Sequence, residues 1–98
     1  MQSDKQPVMP RTDKEKDQMT NRLNRIEGQV RGLQKMIEED RYCIDILVQI
    51  SAVQAALNKV GYTVMERHAK TCVSDAIQSG NGDESIEELM KVIKQFAK

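Results

Sequence analysis

From Cys43 to Ala76 the chain runs without a proline, and apolar side chains recur at helical spacing through Ile46, Leu47, Ile50, Val53, Leu57, Val60 and Val64. The same register continues through His68 and Cys72. Its middle, SAVQAAL, is rich in good helix formers, and Gly61 is the only interior weak point. A single helix of this length cannot be buried by a compact monomer of 98 residues, so two or more copies bundled together are the natural solution. With one Phe, two Tyr and no Trp, the chain also lacks the bulky aromatics of a self-sufficient core, whereas its aliphatics and six Met suit helix-on-helix packing.

The flanking segments are read against this helix. Residues 1–11 carry Pro7 and Pro10, show no periodicity and read as a disordered N-terminal tail ahead of a single helical domain over residues 12–98. From Asp13, the residues Met19, Leu23, Ile26, Val30, Leu33 and Ile37 alternate spacings of four and three, the seam of a helix that ends near Glu39 to Arg41. Ser79-Gly80-Asn81-Gly82 is the clearest breaker, where the long helix should stop. Asp83 or Ser85 then caps a short third helix with the stripe Ile86, Leu89, Met90, Ile93 and Phe96. Glu84, Glu87 and Glu88 lie in its first turns and Lys91, Lys94 and Lys98 toward its end, as the helix dipole favours. The expectation is an all-α chain of three helices.

Charge excludes little globally: fifteen residues of each sign balance, so any nucleic-acid site must be a local patch. No stretch approaches the roughly 20 consecutive apolar residues of a membrane span, and MQSDKQPVMPRTDKEK has no apolar signal core. A cytoplasmic location is expected, where two cysteines are metal-binding, redox-active or buried rather than paired in a structural disulfide. There is no nucleotide loop or catalytic triad, so an enzyme is not expected.

One face of the first helix holds Gly28 and Gly32 beside Arg25, Arg31 and Lys35, with Arg22 on the border of the seam. Each interior glycine costs about 1 kcal/mol relative to alanine, which points to close approach by something. That something is either another helix or a phosphate backbone lying on an Arg-lined surface.

His68 and Cys72 stand four apart, one turn above the other, and can share a metal ion. Cys43 is the obvious third donor, but at about 1.5 Å per residue it lies roughly 37 Å from His68 along a straight helix. Either the helix folds back at Gly61, or two copies run antiparallel and cross near Leu57, so that Cys43 of one chain meets His68 and Cys72 of the other. The second solution also carries the apolar seam through a two-fold axis. A Cys, His, Cys set without a fourth ligand favours monovalent copper first and zinc second. Buried structural thiols beside a core histidine, and redox or persulfide chemistry between Cys43 and Cys72, remain alternatives.

Residues 22–73, RLNRIEGQVRGLQKMIEEDRYCIDILVQISAVQAALNKVGYTVMERHAKTCV, closely resemble the copper-sensitive operon repressor family, and the likeness extends through the third helix. The resemblance implies an all-helical repressor without a helix-turn-helix, built as an antiparallel dimeric four-helix bundle and commonly a dimer of dimers. It further implies that operator DNA is held by the apo form and released when Cu(I) binds Cys43, His68 and Cys72 between protomers. Tyr42 and Glu88 match positions that link the ligands to the third helix, and Arg22 and Lys59 match positions implicated in DNA contact. Some members carry arginine at the position of Lys59. Arg25, Arg31 and Lys35 come from the helix face alone. By the same resemblance, nickel and cobalt sensors have histidine in place of Cys72, and persulfide sensors lack the equivalent of His68. A thiol- or persulfide-sensing repressor of the same fold is the alternative.

Overall fold

A computed structural model describes residues 7–97. Among them are only helices and their connections: α1 (Asp13–Glu38), α2 (Cys43–His68), α3 (Ser74–Gln78) and α4 (Gly82–Phe96). A π-helical turn, Ala69–Val73, joins α2 to α3, so that one rod runs from Cys43 to Gln78. The expected three helices are therefore present, the long one continuous through Gly61. The fold-back at Gly61 does not occur. Residues 1–6 of the expected tail, and Lys98, lie outside the described residues.

The ends of the helices have identifiable chemical causes. Thr12 Oγ1 accepts from the Glu15 amide while Glu15 Oε1 accepts from the Thr12 amide, both at 3.2 Å, a reciprocal box that satisfies two otherwise orphaned donors. α1 closes where Asp40 turns left-handed at φ 52°, with Arg41 N donating to Met36 O and Asp40 N to Ile37 O. The same pair of bonds closes α3: Asn81 N donates to Ala76 O at 2.7 Å and Gly80 N to Ile77 O at 3.2 Å. Here the left-handed residue is Gly80, at φ 88°, as the Ser79–Gly82 breaker predicts.

The third helix begins earlier than expected. Its cap is Asn81 rather than Asp83 or Ser85, and no side chain bonds to the exposed amides there. Close packing explains the early start, since a methyl group on Gly82 would lie 2.8 Å from Ile77 Cγ1 and 3.1 Å from Ile77 Cα. Asp83 and Glu84 in the first turn supply the charge that the dipole favours. We expect Gly82→Ala to push α4 off α3 and lower stability by about 1–3 kcal/mol, the usual range for overpacking, read as a reduced melting temperature in circular dichroism. An unchanged melting temperature would mean that this contact relaxes freely.

The chain divides into two compact units. One comprises α1 and α2 as far as Gly61, with Ile26 and Val53 buried. The other comprises residues 7–11 with the chain from Tyr62 onward, in which α4 packs on α3 and the π turn, Val73 is buried, and the rings of Tyr62 and Phe96 sit 6.1 Å apart. Among the described residues, Ile26, Val53 and Val73 are the whole buried apolar core of the protomer. Seam residues remain open, with Leu47 58% and Leu57 45% exposed and Ile37 61%. By length and composition alone, the Cys43–Gln78 rod is apolar enough to cross a membrane, although Asp45, Gln49, Gln54 and Asn58 interrupt it.

Candidate metal centre and nucleic-acid surface

His68 is the last residue of α2, and Cys72 stands in the π turn that follows. Both are half-buried and both line two clefts in the unit formed by residues 7–11 and 62–97. The first cleft, about 450 Å³, adds Val8, Ala76, Asn81, Glu84, Ser85 and Glu88. The second, about 400 Å³, is walled by Val64, Met65, Leu89 and Val92 together with Pro7, Arg11, Arg67 and Glu88. Glu88 thus reaches the neighbourhood of the thiol and imidazole from α4, on a wall that the α3–α4 turn puts in place.

The π turn distinguishes this end of the rod. Such turns are rare, occur mostly as single turns inside α-helices and are frequent at functional sites. Thr71 Oγ1 donates to the Arg67 carbonyl at 2.8 Å and lies 3.6 Å from Cys72 Sγ, so one hydroxyl ties the turn to its preceding helix beside the thiol. Lys70 pairs with Glu66 at 2.8 Å across the same turn. The hydrogen bond and charge from Lys70 lower the Glu66 carboxyl below its ordinary pKa. The contribution of that pair is present above the unfolded carboxylate range and fades as pH falls through the lowered folded value. Since Glu66 is open to solvent, the pair is a local staple rather than a source of global stability.

Arg67 does something that no sequence pattern announces. Its Nη1 donates to the Met9 carbonyl at 2.8 Å and its Nη2 to the Pro10 carbonyl at 3.1 Å, which holds residues 9–10 beside the end of α2.

Cys43 and Cys72 are both free thiols. Cys43, the first residue of α2, is exposed, as is Tyr42 before it at 68%. Neither cleft around His68 and Cys72 includes Cys43, and among the described residues no three His, Cys, Asp or Glu side chains gather as a metal group. Of its imidazole and thiol groups, the chain thus brings His68 and Cys72 to a partly apolar cleft. Such a set fits a soft, low-coordinate ion only if a further donor arrives.

In the other unit, Arg22, Arg25 and Lys59 line one shallow cleft of about 200 Å³ with Ile26, Gln29 and Ala56. The structure thus brings together two arginines from α1 and the lysine from α2, and adds Gln29, which no sequence pattern singles out. Arg31 and Lys35 lie outside this cleft, and each faces a carboxylate one turn away: Arg31 to Glu27 at 2.7 Å and Lys35 to Glu39 at 3.8 Å. The glycine face is open. A methyl group on Gly28 would meet only Arg31 Nη2, at 3.8 Å, and one on Gly32 nothing within 4 Å. Within this chain, neither glycine is required by close packing against another element.

Residues 15–95 match the family model described as metal-sensitive transcriptional repressor. The chain belongs to that family. Among its members, the copper-sensing transcriptional repressor CsoR of Bacillus subtilis (strain 168) is 62% identical over 88 residues, 90% of this chain and 87% of its own. RicR of Mycobacterium tuberculosis (strain ATCC 25618 / H37Rv), also named a copper-sensing transcriptional repressor, is 52% identical over 67% of this chain and 69% of its own. The crystal structure of the copper-sensing repressor CsoR with Cu(I) from Geobacillus thermodenitrificans NG80-2 superposes with a TM-score of 0.86 at 62% identity, covering 94% of this chain and 96% of that one. The nickel-responsive transcriptional regulator InrS is similar at a TM-score of 0.69 and 34% identity, covering 91% of this chain and 98% of that one. The expected family and helical fold are thereby established.

Proposed function

We propose that this chain is a copper(I)-responsive repressor whose apo form holds operator DNA and whose copper-loaded form releases it. The observation that carries this reading is the division of the soft donors: His68 and Cys72 share one half-buried cleft, while Cys43 stands exposed at the start of the same helix. A second chain running antiparallel supplies what is missing. Cys43 of one protomer joins the partner's His68 and the partner's Cys72, twice per dimer, as an isologous interface requires.

Two observations support the dimer. The α2 seam leaves Leu47, Ile50 and Leu57 exposed, and a helix pair across a two-fold axis would cover them. The apolar character of the rod is accounted for by that packing rather than by a bilayer, in keeping with a cytoplasmic DNA-binding protein. Pairing of two such dimers into a tetramer is part of the same reading. The donor chemistry supports copper: two thiolates and a neutral imidazole suit a monovalent soft ion, and structural zinc would ordinarily take four ligands. The relatives named as copper-sensing argue in the same direction. Glu88 on the cleft wall would pass ligand geometry to α4, and Tyr42, adjacent to Cys43, would do so at the partner's end of the site.

For DNA, the Arg22, Arg25 and Lys59 cluster is the surface proposed to meet phosphates, with Arg31 and Lys35 further along the same helix. Bound copper fixes one α2 against the other, and an arrangement that spoils the fit of these faces to the duplex couples the two ligands reciprocally. Anaerobic fluorescence anisotropy with and without Cu(I) tests this. Operator affinity should fall about 100-fold on loading, a coupling of about 2.7 kcal/mol, within the usual allosteric range. Unchanged affinity sinks the proposal. The second reading, thiol or persulfide sensing, is kept because both cysteines are free. It predicts instead a Cys43 to Cys72 crosslink between chains and loss of DNA binding on persulfide treatment.

A further inference from the structure

A third soft donor already stands in the cleft of a single protomer. Met65 precedes His68 by three residues on the α-helical part of the rod, one turn apart on the same face, and it lines the same cleft as His68 and Cys72. It is half-buried and lines the cleft together with the apolar side chains of Val64, Leu89 and Val92. A methionine on a helix stripe ordinarily serves packing alone. This one shares its open cleft with an imidazole and a free thiol, and thioethers, like thiolates, select monovalent copper.

The geometry points to a loading site within one protomer, in which Met65 Sδ, a His68 ring nitrogen and Cys72 Sγ hold Cu(I) before the partner's Cys43 takes part. The inference rests on the copper-sensing reading and adds a step to it. Entry needs no second chain, because three donors of one protomer suffice for a low-coordinate ion, and the Cys72 thiol gives its proton to bulk water as its sulfur binds. Completion is then a ligand substitution with no change of oxidation state. The bond to Met65 Sδ breaks, a bond to the partner's Cys43 Sγ forms, and the proton of that thiol passes to bulk water. A neutral thioether is the weakest donor of the three, which makes it the one to leave. The protomer-local set catches the ion, and the interprotomer set reports it.

The test uses the full-length Cys43→Ser protein, which retains the three local donors and lacks the completing thiolate. With methionine methyl groups labelled with carbon-13, anaerobic titration with Cu(I) should shift the Met65 methyl resonance, identified by its loss in Cys43→Ser/Met65→Leu. Competition against a Cu(I) chelator should show about tenfold weaker binding in the double variant than in Cys43→Ser. A stationary Met65 resonance, equal affinities for the two Cys43→Ser proteins, or no copper binding by Cys43→Ser overturns the loading site. Operator release by the parental protein is followed in parallel. It fails if the copper-sensing reading is wrong, and it persists if only the role of Met65 is wrong.

Discussion

His68→Ala should bind operator DNA as tightly as the parent and stay bound when Cu(I) is added, so that the roughly 100-fold release expected of the parent vanishes. The imidazole sits at the last residue of α2, half-buried in a cleft that includes none of Arg22, Arg25 and Lys59. Its loss would remove one donor of the proposed copper site and none of the residues that line the basic cleft. Cys72, four residues on, would be left as the only donor among His68, Cys72 and Cys43 that this protomer contributes to its end of the site. The measurement is anisotropy of a labelled operator under anaerobic conditions, with copper binding followed separately by chelator competition. The same variant separates the two inducers, since sulfur chemistry at two thiols does not need an imidazole. If His68→Ala still releases DNA when treated with a persulfide donor but not with Cu(I), both chemistries operate. If it releases DNA with Cu(I) as the parent does, His68 is not a ligand and the site has been drawn wrongly.

Arg22→Ala should have the opposite profile, with weak operator binding and intact copper affinity. Phosphate contacts dominate protein–DNA affinity, and removing one cation from a phosphate flattens the salt dependence by about one unit of slope. In the proposed two-fold dimer Arg22 would meet phosphate twice, so the slope should shallow by about two, with a loss of affinity that is largest at low salt. Lys59→Ala should act in the same sense, because Lys59 lines the same cleft as Arg22 from the other helix. A cleft shared by residues of α1 and α2 also gives a physical route by which a shift of α2 on copper loading could change how the cations are presented. Parental operator affinity and salt slope in Arg22→Ala would move the DNA surface elsewhere, most directly to the open Gly28 and Gly32 face.

What was legible in the sequence followed from periodicity and from residues whose backbone chemistry is unambiguous. Gly80 turns left-handed where the breaker stood, and the Met19 to Ile37 spacing belongs to one helix. Rise per residue alone separated Cys43 from His68 along one helix, and α2 is helical on both sides of Gly61. Other features depend on contacts that a sequence does not display. Backbone carbonyls accept the Arg67 hydrogen bonds, and any residue offers a carbonyl, so Met9 and Pro10 carried no signal. The start of α4 at Gly82 depends on how closely Ile77 approaches, a tertiary fact that outweighed the better capping chemistry of Asp83 and Ser85. Gln29 joined the basic cleft only once α2 brought Ala56 and Lys59 alongside. Ala69–Val73 contains residues at home in any α-helix, and nothing in their order marks a π turn.

That turn has a geometric consequence for the stripe that ends the rod. In a regular α-helix each residue advances by about 100°, so side chains four apart drift by about 40° and a row of three such residues fans out by about 80°. A π turn advances less per residue and takes up part of that drift. His68, Cys72 and Ala76, four apart in succession, all line one cleft. Ala69–Val73 therefore works as a phase correction, keeping a row of side chains in alignment that a uniform helix would have splayed. Deleting a single residue there would let the turn relax to regular α-helix, in which four residues sweep nearly the arc that five cover in the π turn, so side chains beyond it would keep their azimuth while the four-residue spacing of the row was lost.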